Sequence, residues 1–305
     1  MEGRGGEAML QVQGATLKTY EWLPEGEPRA VVQVAHGMVE HAGRYERFAN
    51  HLVEAGFAVV AADHRGHGGS IPDGATPGWF AAEHGWDLVV EDLHALRQAT
   101  AARFDGVPYF MLGHSMGSML LRDYLTRYGE GLAGAVVVGT GGWPATGSAG
   151  LALAKLLARR KPAEPGTLLN KIAFLGYNKG FEGRTEFDWL SRDHAEVDAY
   201  IADPLCGFVP TNQFFVDLFT GLHRISTDAS ARRIPKDLPL HLVSGEADPV
   251  GGRRVVVALA EQYWRLGLAD VTVKLWPGAR HEVLNETNRD EVTAEIVDWI
   301  GYHLR

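Results

Sequence analysis

The chain has 305 residues, 46% hydrophobic and 22% charged, which suits one large globular domain or a domain carrying an insertion. Its formal net charge is −9 with no dense Lys/Arg cluster, which argues against nucleic acid as a partner and against strong docking to anionic lipid. The single cysteine, Cys206, excludes an intrachain disulfide; with no signal-peptide core and no run of roughly 18 apolar residues, the expected setting is cytoplasmic.

In chain order, MLQVQG and TLKTYEWLP surround a glycine-containing turn and predict an antiparallel hairpin at a sheet edge. AVVQVAHG (30–37) is β-branched, ends in glycine and predicts a buried strand. RYERFANHLVEAG (44–56) predicts a helix with Phe48, Leu52 and Val53 on one face and Gly56 as its stop. FAVVAADHRGHGGS predicts a second buried strand that runs into a glycine-rich loop. WDLVVEDLHALRQATAARF predicts a helix with an apolar stripe of Leu88, Val89, Leu93 and Leu96. The strand PYFMLGH, a helix from Ser115 to about residue 128 and the strand LAGAVVVG follow. The alternation resumes with the strand of LPLHLVSGEAD (238–248), a helix to about 266, the strand VTVKLWPG and a last helix from about 285 to 302. Such alternation of buried strands and helices implies a mostly parallel sheet covered on both faces.

Between 141 and 233 the rhythm breaks. GLALAKLLARRK predicts a helix and KPAEPG a loop, while RTEFDWLSRDHAEVDAYIADP and TNQFFVDLFTGLHRI predict mainly helical, aromatic-rich segments. An insertion at the carboxyl end of a strand commonly roofs a site. The expected organisation is therefore a core of 1–140 and 234–305 with a cap at 141–233; the alternative is a helical layer that extends the core.

Ser115 stands in Gly113-His114-Ser115-Met116-Gly117, a G-x-S-x-G pattern between a buried strand and a helix. There the serine occupies a sharp turn and the glycines remove side chains that would clash. A serine opening a helix can also be no more than an N-cap. A serine hydroxyl needs a base, and His281, on the loop ARHEVLNE after the last strand, would hang at the same end of the sheet. His51 and His94 lie within helices, His114 points elsewhere on the turn and His303 is terminal. The base needs an orienting acid. Asp248 in SGEADPV is favoured by its place before Pro249 at the outer end of the loop, with Glu246 as the rival and a turn-forming Asp-Pro pair as the bland explanation. An oxyanion hole needs two amides; the N–H of Met116 after the nucleophile and that of Met38 in AHGMVEH are the candidates.

The ordered set HGMVEHAGRY, ADHRGHGGS, GHSMGS, SGEADPV and PGARHEVLNE resembles the α/β-hydrolase fold, and within it the monoacylglycerol lipase and lysophospholipase group. The resemblance covers nearly the whole chain, and its narrowest part is H-G-x-x-E-H-x-x-R-Y. It implies a mostly parallel central sheet with helices on both faces and a mainly helical cap. It also implies hydrolysis of a monoacyl glycerol ester or related lysolipid without metal or organic cofactor. Residue by residue it places the nucleophile at Ser115, the acid at Asp248, the base at His281 and the oxyanion amides at Met38 and Met116. Glu40, His41 and Arg44 match the narrow motif and suggest a polar cluster beside the oxyanion loop, either structural or near the glycerol end.

Asp63, His64 and His67 could suggest a metal site, but a strand-end turn fits them better, and the glycines of HRGHGGS fail the dinucleotide fingerprint because Ile71-Pro72 follows instead of a helix. The leucines Leu151, Leu153, Leu156 and Leu157 with a basic end would let the cap touch a membrane or micelle transiently, or else they pack inward. The rival activities are a lysophospholipase or a broad carboxylesterase. The narrow motif argues against an iminopeptidase, and serine at the elbow excludes an aspartate-nucleophile epoxide hydrolase. From a different class, the fold can also serve as a non-catalytic ligand-binding protein.

Overall fold

Strands 30–35, 57–62 and 109–114 are buried throughout and, apart from Gln33 and His114, apolar or small, because both of their faces are covered. The computed structural model of the chain describes residues 4–304; the signal-peptide expectation rests in part on residues 1–3, outside that range. The strands are β1 (Arg4–Val12), β2 (Ala15–Leu23), β3 (Ala30–Ala35), β4 (Phe57–Ala62), β5 (Tyr109–His114), β6 (Gly134–Val138), β7 (Leu240–Gly245) and β8 (Val271–Trp276). They form one sheet in the order β1-β2-β4-β3-β5-β6-β7-β8. The expected edge hairpin is there, with Val12 opposite Ala15 and Arg4 opposite Leu23. β2 pairs with β4 antiparallel, and every later pairing is parallel.

The core helices are α1 (Glu46–Glu54), α2 (Gly85–Ala101) and α3 (Met116–Tyr128) in the first half. Between β6 and β7 come α4 (Gly147–Ala158), α5 (Thr167–Ala173), α6 (His194–Ala202), α7 (Asn212–Ile225) and α8 (Asp228–Ala231); α9 (Gly252–Arg265) and α10 (Arg289–Tyr302) complete the chain. Successive strand residues point to opposite faces. Val32, Val34, Phe110 and Leu112 therefore join the layer that contains Phe48, Leu52, Ile296 and Ile300 of α1 and α10. Val31, Tyr109 and Met111 join the layer of α2, α3 and α9. Each fully buried side chain of this size contributes about 1.5–3 kcal/mol relative to exposure.

Three expectations need correcting. On α2, Trp86, Val89, Val90, Leu93 and Leu96 are buried and Leu88 is only partly so, because the inward stripe starts from Trp86. Residues 184–193 are not helical: the Asp188 carboxylate accepts from the N–H groups of Arg184 and Thr185 at 2.6 and 3.0 Å, a local alternative that competes with helix formation. The last helix begins at Arg289, preceded by a 3₁₀ turn at Val283–Asn285. The insertion has two kinds of helix. α7 sends Phe214, Phe215, Leu222 and Ile225 into the main core. α4 and α5 bury little beyond Ala154, Ala158 and Leu169.

Candidate active site

The turn between β5 and α3 is forced by close backbone approach. A Cβ at Gly113 would lie 2.4 Å from the Gly117 carbonyl oxygen, and one at Gly117 would lie 2.0 Å from that of Ala35. Between them Ser115 takes φ 53° and ψ −120°, and its N–H donates to Val138 O at 2.9 Å. A non-glycine residue in this region is held there by its surroundings.

His281 lies on the loop after β8 and is buried. Its Nδ1 is 3.0 Å from Asp248 Oδ1. An ionised carboxylate only accepts, so Nδ1 carries the proton and Nε2 is left as the basic nitrogen. Asp248 Oδ1 also accepts from Val250 N at 2.9 Å, and Ser244 Oγ donates to Oδ2 at 3.3 Å, so the acid is itself oriented. Glu246, the rival acid, is exposed and pairs with Arg253 at 2.9 Å. Ser115 and His281 open onto one cavity. Among the described residues no hydrogen bond joins their side chains, a contact that commonly tightens only when substrate is bound.

Met38 and Met116 line the same cavity. Met116 opens α3, so its N–H has no intrahelical acceptor. The Met38 loop is fixed from within the core: Gly37 N donates to Glu40 Oε1 at 2.5 Å and Tyr45 Oη donates to the same oxygen at 2.9 Å. Arg44 bridges Glu40 Oε2 at 2.5 Å and both oxygens of Glu282 at 2.8 Å, which ties the Met38 loop to the residue after His281. His114 lies beneath, with Nδ1 3.1 Å from Tyr45 Oη and Nε2 3.3 Å from the His281 carbonyl oxygen. Burial, the largest single influence, would raise the Glu40 and Glu282 carboxyls, but the Arg44 charge combined with His114 at Glu40 and with the Arg44 hydrogen bonds at Glu282 holds both below the usual range. Burial alone would lower the His114 imidazole, and the hydrogen bond and charge of Glu40 raise it instead. Glu40 reaches the cavity wall while Arg44 and His41 do not; His41 turns aside to Asp203 Oδ2 at 2.8 Å. The narrow motif thus builds a buried scaffold beneath the loop.

The family model for serine aminopeptidase S33 matches residues 26–288. The chain belongs to this family. A protein from Mycolicibacterium smegmatis named monoacylglycerol lipase is 31% identical over 99% of this chain and 98% of its own length. A human monoglyceride lipase is 29% identical over 96% of this chain and 89% of its own. The crystal structure of a thermostable carboxyl esterase from Bacillus coagulans in complex with glycerol superposes with TM-score 0.90, 31% identity and 99% coverage of both chains. The fold is therefore the α/β-hydrolase fold, and this S33 chain is a hydrolase.

In this S33 hydrolase the cavity has a volume of about 1740 Å³. Leu153 of α4, Phe174 after α5, and Leu218 and Phe219 of α7 give it apolar walls. Trp189 and Tyr200 also line it. The Trp189 ring lies 5.1 Å from the His281 ring, and its carbonyl accepts from His281 N at 3.3 Å. The sequence marked this segment as aromatic-rich without singling out either residue, and it gave no role to Glu282. Asp63 is engaged by Tyr20 Oη, Ala42 N and Gly69 N at 3.1, 2.8 and 2.7 Å, and His64 and His67 hydrogen-bond to the carbonyls of His36 and Arg65. All three therefore belong to the turn. Among the described residues His41, Asp203 and Cys206 bring one donor atom each within 4.8 Å of one another. Burial disfavours the Cys206 thiolate that a metal would require, and His41 and Asp203 already bond to each other.

Proposed function

We propose that the protein is a serine esterase that cleaves monoacylglycerol to glycerol and free fatty acid through an acyl-enzyme on Ser115. The observation that carries this is the buried His281–Asp248 pair opening with Ser115 onto a large apolar-walled cavity. The names of the relatives from M. smegmatis and human support the substrate class.

His281 Nε2 takes the Ser115 hydroxyl proton as Oγ attacks the ester carbonyl carbon. The tetrahedral oxyanion accepts from the N–H groups of Met38 and Met116. Asp248 stabilises the imidazolium that forms. The C–O bond to glycerol then breaks, and His281 returns the proton to the leaving alkoxide. Water repeats the cycle on the acyl-enzyme, and the fatty acid leaves. No metal or organic cofactor takes part in these steps.

Residues 141–233 form the cap in this reading. α7 seats it on the core, and α4, α5 and the segment through Trp189 roof the site. The exposed apolar side chains of α4 and α5 would touch a membrane or micelle transiently to collect substrate, which fits a peripheral cytoplasmic protein. No helix among the described residues is long and apolar enough to cross a membrane. A broader carboxylesterase is the second reading, favoured by the likeness to the Bacillus coagulans esterase.

Ser115→Ala is expected to abolish hydrolysis of monoacylglycerols and labelling by a fluorophosphonate while the thermal unfolding transition stays in place. A folded Ser115→Ala protein with near-native turnover would overturn the assignment. A panel of monoacylglycerols, lysophospholipids and short-chain esters separates the two readings by the ranking of kcat/KM.

A further inference from the structure

Among the described residues three non-glycine positions have φ in the left-handed region: Val39 at 53°, His84 at 56° and Ser115 at 53°. His84 is exposed, and histidine is one of the residues enriched there. Ser115 is the elbow. Val39 is different, because a β-branched side chain at positive φ is a genuine outlier that its surroundings must impose. It is buried in the cavity wall, directly after Met38.

The surroundings that impose it come from the cap segment. The Val39 carbonyl accepts from Gly207 N at 2.9 Å and from Tyr200 Oη at 3.2 Å. Tyr200, on α6, is buried; its ring packs against Phe187 at 5.2 Å and lies under the Arg44 guanidinium at 4.9 Å. On the other side of Met38 the chain is held by Gly37 N on Glu40 Oε1. The Met38 peptide is thus bracketed, by the core at residue 37 and by the cap at residue 39.

We propose that Tyr200 is a positioning residue for the oxyanion hole. Its hydroxyl, together with the Gly207 N–H, holds Val39 in the left-handed conformation and so aims the Met38 amide at the reacting carbonyl. This rests on the esterase reading and deepens it: the second oxyanion donor is in place only while the cap segment around α6 is seated.

The test is a cycle of four proteins, native, Tyr200→Phe, Val39→Gly and the double variant. Each is measured for monoacylglycerol turnover and for the rate of fluorophosphonate labelling at Ser115. Glycine adopts positive φ without a side-chain penalty, so it relaxes the need for the clamp. In the native background Tyr200→Phe is expected to lower kcat and the labelling rate about tenfold, since small misplacements of a catalytic group are costly. KM should move by less than about threefold, as befits an interaction felt mainly in the transition state. The Val39 carbonyl keeps its Gly207 donor, so the variant leaves no buried acceptor unpaired and its unfolding transition should stay close to native. In the Val39→Gly background the same change is expected to cost less than about twofold, the non-additivity of a coupled pair. Tyr200→Phe with native kcat, or an equal loss in both backgrounds, overturns the proposal while the esterase reading stands on native turnover. A native protein that neither turns over ester nor labels at Ser115 overturns both.

Discussion

Asp248 and Glu246 stand two residues apart at the end of β7, and they meet different neighbours. Asp248 is buried against His281 Nδ1 and is itself held by Val250 N and Ser244 Oγ. Glu246 is exposed and has Arg253 for a partner, a surface pair of the kind worth about 0–1 kcal/mol. Asp248→Asn would leave the shape intact but present an amide where the imidazole needs an acceptor. It should lower kcat by about ten-thousandfold, the scale of that change in a comparable triad, whereas Glu246→Gln should keep native turnover. The reverse ranking in steady-state assays would sink the choice of acid. In the sequence Asp248 is favoured by its position before Pro249, and Ser115 is marked as a candidate by the G-x-S-x-G spacing. Val39 and Tyr200 were not legible. Nothing in a valine code announces a positive φ, and one tyrosine among the many aromatics of residues 141–233 does not reveal which carbonyl its hydroxyl will meet.

The helices of the insertion differ in what they bury, and α7 shows why. Its contact with α2 is close enough that a Cβ at Gly221 would lie 2.1 Å from Trp86 Cε2. A Cβ at Gly85, the first residue of α2, would lie 2.4 Å from Asp217 Oδ2. The Asp217 carboxyl is carried into this contact; it is 6% exposed, and among the described residues Oδ2 has no hydrogen-bond partner. Burial pushes it up to about 7. An unfolded aspartate loses its proton near pH 4, so between about pH 4 and 7 the folded chain binds the extra proton. Stability therefore falls as pH rises through that window and levels off above it. Asp217→Asn removes the titration and should raise the melting temperature at pH 8 more than at pH 5. The expected gain is roughly 3–4 kcal/mol at most. An equal shift at both pH values would show that this carboxyl does not titrate on unfolding. The apolar spacing of TNQFFVDLFTGLHRI was sufficient to predict this helix, since its stripe is long and regular. The same pattern could not say that it docks on α2 while Leu218 and Phe219 wall the cavity, because periodicity gives a face and not its partner. The over-read helix at 184–193 failed for a local reason, the Asp188 side chain capturing two backbone N–H groups.

At the scale of the molecule, strand–helix alternation was enough to anticipate the mostly parallel sheet, because each buried strand needs a covering helix on both faces. It could not give the strand order β2-β4-β3-β5, which depends on how connections cross. The distribution of charge carries a further consequence that the net value hides. The chain is −9 overall, yet residues 147–180 hold Lys155, Arg159, Arg160, Lys161, Lys171 and Lys179 against the single acid Glu164. In the same stretch Leu156 and Leu168 are 56% and 52% exposed, and Leu175 and Ile172 lie beside the cavity with large exposed surfaces. Exposed apolar side chains and cations in one stretch of chain suit an anionic interface, with basic residues near such a surface worth about 1 kcal/mol each. The proposed membrane contact should therefore use this edge of the proposed cap despite the acidic whole. In flotation assays the native protein should rise with vesicles containing anionic lipid and less with neutral ones. Leu156→Ser together with Leu168→Ser should weaken that association and lower turnover of vesicle-borne monoacylglycerol. Neither residue lines the cavity, so hydrolysis of a water-soluble short-chain ester should stay native. Equal flotation of native and doubly substituted protein would remove α4 and α5 as the contact, and the apolar side chains there would then need another occupant.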